Sequence, residues 1–99
     1  MKRAILIDPT YDSYTFGRGV GGSVAKAWLD GDEERSFMLV YGDVTKQLGG
    51  EQSFMRALSD HPRAQLCYVR GDHARFRADD MTAAIVAKDC DDLNERLAR

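Results

Sequence analysis

The chain has 99 residues, a formal net charge of −2, 43% apolar residues and 30% charged residues. That length supports one core and leaves no room for a two-lobed enzyme, and the composition is far from the low-hydropathy, high-charge pattern of disorder, so a single domain over residues 1–99 is expected. The charge balance gives no pull toward nucleic acid or an anionic membrane, and the longest apolar runs, such as Phe37 to Tyr41, are strand-length, short of the roughly 20 residues that cross a bilayer.

Met1 to Leu6 runs straight into Asp8-Pro9 without the apolar stretch of a secretory leader, so a cytoplasmic start is expected. Arg3 to Asp8 (RAILID) reads as a strand, with Pro9 biasing its predecessor toward extended backbone. Tyr11 to Phe16 is aromatic-rich and reads as a turn with a second strand or as an ordered loop. Gly17 to Gly22 (GRGVGG) reads as a loop, because four glycines in six residues carry a large entropy cost in regular structure. Ser23 to Leu29 alternates Val24, Lys26 and Trp28 against Ala25, Ala27 and Leu29. Asp30-Gly31 then signals a hairpin, which makes Ser36 to Gly42 the returning strand.

Leu48, Phe54, Met55 and Leu58 form a helical stripe, and a helix is predicted from about Gly50 to Asp60, ended by His61-Pro62. Gln65 to Arg70 reads as a strand with Leu66 and Tyr68 on one face and Cys67 and Val69 on the other; Gly71-Asp72 turns the chain. The region from Ala78 to Arg99 reads in two ways: Asp79-Asp80 can cap one long helix, or Thr82 to Lys88 is a strand, the reading favoured here, and about Cys90 to Ala98 a final helix, where Asp89 and Asp92 have capping-box spacing and Leu93 and Leu97 repeat at i, i+4. The elements add up to an α+β fold: a largely antiparallel sheet of four to six strands with two helices on one face.

Gly17, Gly19 and Gly22 spell GxGxxG, and Asp43 stands where a dinucleotide fold places its ribose carboxylate, but the segment after the glycines reads as strand rather than helix. Tyr41, Gly42 and Asp43 close one strand, and Arg70, Gly71, Asp72 and His73 close another. Asp43, Asp72 and His73 are therefore the set that a metal-dependent hydrolase or nucleotide-binding protein would use. No Asp-x-His follows the first strand and no Gly-x-Ser-x-Gly elbow is present, so no catalytic residue, metal site or cofactor is assigned. Cys67 and Cys90 lack metal-ligand spacing and read as free thiols; His61 reads as a helix-end residue.

Arg70, His73, Arg75 and Arg77 cluster around Phe76, and Tyr11, Tyr14, Phe16 and Arg18 surround the glycine run. Arginine with exposed aromatics is the composition of protein interfaces, and these nine residues form the expected binding surface. Asp30, Asp32, Glu33 and Glu34 offer an alternative acidic interface. The opening Met1-Lys2-Arg3-Ala4-Ile5-Leu6-Ile7-Asp8-Pro9 resembles the start of small uncharacterised phage and prophage proteins. The resemblance implies a mobile-element protein that binds and blocks host machinery, as anti-CRISPR proteins do. The expected function is thus a non-enzymatic protein-binding module with a protein partner, contacting nucleic acid only indirectly and no membrane. A metal-dependent hydrolase or nucleotide-binding protein and a strand-edge homodimer are the alternatives.

Overall fold

The structure is a computed structural model that describes residues 2–7, 20–71 and 78–97. Its elements run β1 (Arg3–Ile7), α1 (Gly21–Asp30), β2 (Ser36–Tyr41), α2 (Asp43–Leu48), α3 (Gln52–Leu58), β3 (Ala64–Tyr68), α4 (Ala78–Val86) and α5 (Cys90–Leu97). The strands form one sheet in the order β1-β2-β3, and both pairings are parallel, with Arg3 opposite Ser36 and Phe37 opposite Ala64. The expected antiparallel sheet of four to six strands with two helices on one face is therefore incorrect. Three parallel strands and five helices are present among the described residues.

The physical reason lies in β2. Parallel strands need crossover connections, helices then cover both faces, and the central strand is apolar on both sides. Phe37, Leu39 and Tyr41 pack on one face against Ala25 and Leu29 of α1 and Phe54 and Leu58 of α3; Met38 and Val40 pack on the other with Cys67, Val69, Ala84, Ala87, Leu93 and Leu97. All five apolar residues of β2 are buried. The Phe37 and Phe54 rings stack nearly parallel, with centroids 5.9 Å apart. In β3 the expected faces are found, Leu66 and Tyr68 toward α1 and α3, Cys67 and Val69 toward α4 and α5.

Ser23 to Leu29 belongs to α1, not to a hairpin strand. The residues that α1 buries are Gly21, Gly22, Ala25 and Leu29, a helical spacing, while Val24 is exposed. Asp30-Gly31 ends the helix instead of turning a hairpin: the Gly31 and Asp32 N–H groups donate to Trp28 and Leu29 carbonyls. Arginines at the strand entrances complete that end. Arg35 donates to the Trp28 carbonyl, and Arg63 donates to those of Leu29, Asp32 and Arg35. Gly22 is required by close approach, since a Cβ there would lie 1.9 Å from the Ser53 carbonyl oxygen of α3.

Thr82 to Lys88 is likewise not a strand, because α4 occupies residues 78–86. Its inward residues are Asp80 and Ala84, followed by Ala87 just past its end, whereas Met81, Ile85 and Val86 face outward. Arg3 of β1 caps it by donating to the Ile85 and Ala87 carbonyls at 2.7 and 2.6 Å. The predicted helix over residues 50–60 is α3, shorter at both ends, and is preceded by α2, which the stripe had not separated. For α5 the capping signal holds: the Asp92 N–H donates to Asp89, and the Asp92 carboxylate accepts from the Lys88 N–H.

Cys67 and Cys90 are not free thiols. They form a disulfide joining β3 to the first residue of α5, with Cα atoms 5.2 Å apart. No helix among the described residues is long and apolar enough to cross a membrane.

Candidate functional site at the carboxyl edge of the sheet

Parallel strands deliver all their carboxyl ends to one edge, and side chains from different loops meet there; this is where open α/β sheets bind ligands. At this edge β2 and β3 are fastened together. The Val69 N–H donates to the Tyr41 carbonyl, the Asp43 N–H donates to the Gly71 carbonyl at 2.7 Å, and the Gly71 N–H returns to Asp43 Oδ2 at 3.2 Å. The Tyr68 hydroxyl donates to Asp43 Oδ1. Gly71 has φ 131°, a region that side chains disfavour, and so lets the chain turn back toward Asp43.

Two cations and two aromatic rings complete the set. Lys46 of α2 holds its Nζ 4.3 Å from the centre of the Tyr68 ring, and the Tyr41 and Tyr68 rings are 5.7 Å apart at 46°. The Tyr68 hydroxyl beside Asp43 holds that carboxyl below the usual carboxylate range, helped by the Gly71 N–H and the charges of Arg70 and Lys46. Conversely, the Asp43 carboxylate raises the Tyr68 phenol. Burial, reinforced by the charge of Glu51, raises Tyr41. Glu51 is itself buried, and its Oε2 has no hydrogen-bond partner among the described residues.

The sequence had placed Tyr41-Gly42-Asp43 and Arg70-Gly71 at two strand ends, and the structure brings them into direct contact. Asp72 and His73 follow Gly71 but lie outside the described residues, as do Tyr11, Tyr14, Phe16, Arg18, Arg75, Phe76 and Arg77. Arg70, the remaining member of the expected basic and aromatic surface, is exposed. Gly22 of the GxGxxG does open a helix, contrary to expectation, while Gly17 and Gly19 lie outside the described residues. Among the described residues no three His, Cys, Asp or Glu side chains gather to hold a metal. Lys46, Tyr68 and Glu51 were not singled out from the sequence; only the rule that parallel strands share a carboxyl edge would have found the first two.

The alternative acidic interface has local duties. Asp30 pairs with Lys26 at 2.6 Å and with His61 Nε2 at 3.1 Å, and its carboxyl is held below its ordinary range by Lys26 first and His61 second. The Arg63 N–H donates to His61 Nδ1, which leaves the Nε2 hydrogen for Asp30. Asp32 accepts from the Glu34 N–H, Glu34 pairs with Lys2, and Glu33 is exposed.

A cleft of about 570 Å³ opens at the opposite, amino edge, lined by Arg3, Arg35, Arg63 and Lys88 among others. Its three arginines are engaged on helix carbonyls, so they are structural clamps rather than a waiting anion site. No family model, no curated protein and no solved structure matches this chain.

Proposed function

We propose that the protein binds a phosphate-bearing small ligand of the nucleotide type at the carboxyl edge of its sheet. The observation that carries this reading is the convergence of Asp43, Lys46, Tyr68 and Arg70 where parallel β2 and β3 end. Lys46 and Arg70 supply charge for phosphate oxygens, and Tyr68 supplies an aromatic face for a base. Asp43 orients Tyr68 and keeps the two strand ends in register.

The test is thermal unfolding with AMP, ADP, ATP or inorganic phosphate. A nucleotide at a hundredfold excess over its Kd should add about 2.7 kcal/mol of stability. Lys46→Ala and Arg70→Ala should each weaken binding about tenfold while the ligand-free protein keeps its fold. No shift with any of these ligands, or shifts untouched by both variants, removes the reading.

Protein binding is the second reading, favoured by the outward Met81, Ile85 and Val86 of α4, which are 44%, 59% and 50% exposed. Exposed apolar side chains grouped on one helix suit a protein-docking surface, and a phage-type inhibitor is the role such a surface would serve here. Met81→Lys with Ile85→Lys should abolish capture of a partner held by the parent chain and leave the circular dichroism unchanged. Equal capture by both excludes this face.

A further inference from the structure

The two helical layers are held to the sheet very differently. On one side Leu29, Phe54 and Leu58 are fully buried, and α1 touches the backbone of α3 at Gly22. On the other side α4 and its C-terminal boundary insert the alanines Ala84 and Ala87, and α5 buries only Leu93 and Leu97. An eight-residue helix is too short to persist alone. Its further ties to the sheet include the Cys90 N–H donated to Gln65 Oε1 at 3.1 Å and the disulfide from Cys90 to the buried Cys67.

We propose that the Cys67–Cys90 disulfide is a redox latch on α5. Two-electron reduction by a dithiol undocks this helix and uncovers the part of the apolar cluster around Met38, Val40 and Val69 that Leu93 and Leu97 fill, and reoxidation reseats it. In the exchange, one thiolate of the dithiol attacks Cys90 Sγ, forming a mixed disulfide and releasing Cys67, which takes up a proton. The second thiol then displaces Cys90, the reductant leaves as a disulfide, and both cysteines end as thiols. Cys67 is 1% exposed among apolar side chains, where a thiolate is disfavoured as leaving group. Exchange therefore starts from brief local fraying at the first turn of α5 that bares Cys90 Sγ with the bond still intact, and the helix as a whole is released only once the bond is broken.

Amide hydrogen exchange, followed peptide by peptide in the oxidised chain, the dithiothreitol-reduced chain and Cys90→Ser, tests the latch. Closing a loop of 23 residues restrains the open chain enough that reduction should accelerate exchange in residues 90–97 about a hundredfold. Amides of β2 and α3 should change far less, and dithiothreitol should add nothing to Cys90→Ser. Equal acceleration in α5, β2 and α3 would make the bond a global staple, and unchanged exchange in 90–97 would show that α5 stays docked; either result overturns the latch. The reduced parent chain provides the same readout if serine at position 90 disturbs folding.

Discussion

Asp43 is the residue on which the carboxyl edge depends, because its carboxylate accepts from both the Tyr68 hydroxyl and the Gly71 N–H. Its carboxyl is depressed in the folded state, so the stabilisation it brings is present above the ordinary carboxylate value. That stabilisation is lost as pH falls through the lower, folded value. Tyr68 is raised, so its share is present below the ordinary phenol value and lost as pH rises through the higher, folded one. The pair thus acts across neutral pH and fails at both ends. Tyr68→Phe should flatten the fall of Tm between about pH 5 and pH 2 relative to the parent chain, while Asp43→Asn removes the same dependence from the other side. An acid limb with the same slope in all three proteins would mean that this bond does not couple to folding. Gly22→Ala places a methyl 1.9 Å from a backbone oxygen and 2.8 Å from the Phe54 nitrogen, neither of which can swing aside as a side chain tip would. The expected cost is about 3 kcal/mol or more, read as a lower midpoint in urea unfolding.

Among the elements, α1 shows how a local signal acquires its meaning from what lies beside it. The helix ends at Asp30 with carbonyls that its own backbone cannot satisfy, and Arg63, which sits 34 residues after Leu29, reaches three carbonyls in this region. Arg63→Ala should cost about 2 to 4 kcal/mol through the carbonyls it leaves partly unpaired; Arg63→Lys should recover little, since one ammonium cannot reproduce the fork. Urea midpoints of the two variants check this, and near-equality of Arg63→Lys with the parent would refute the fork argument. The same end misled the sequence reading. In the seven residues Ser23 to Leu29, periods of 2 and 3.6 are hard to separate, and Asp-Gly serves a helix exit as well as a hairpin. Strand positions 3–7, 36–41 and 64–68, the α5 cap and the two faces of β3 were legible because each rests on local chemistry. Strand direction was not, although the unbroken Phe37 to Tyr41 run is the signature of a strand buried on both sides. The candidate site was legible only as two strand ends; their contact required the parallel pairing of β2 and β3, which the expectation of a largely antiparallel sheet did not bring out.

At the scale of the whole molecule, the two faces of one sheet carry unequal layers, and this asymmetry governs how the protein should unfold. Phe54 is fully buried and stacks on Phe37 of the central strand, so it anchors the thicker layer and the sheet together. Phe54→Ala should cost about 3 to 5 kcal/mol, a large part of the roughly 5 to 15 kcal/mol that holds a domain of this size. Because that layer and the sheet lose structure together, the urea midpoint should drop with little change in slope. Leu93 is also fully buried but belongs to the thinner layer, whose covalent tie is the disulfide. In the oxidised chain Leu93→Ala should behave like Phe54→Ala, lowering the midpoint in a single transition. In the reduced chain, where the latch has released α5, the same substitution should barely move the midpoint, and the slope of the transition should be lower than in the oxidised chain because less surface remains to be exposed. A single transition of full slope in reduced Leu93→Ala would mean that α5 and the sheet unfold as one unit even without the disulfide.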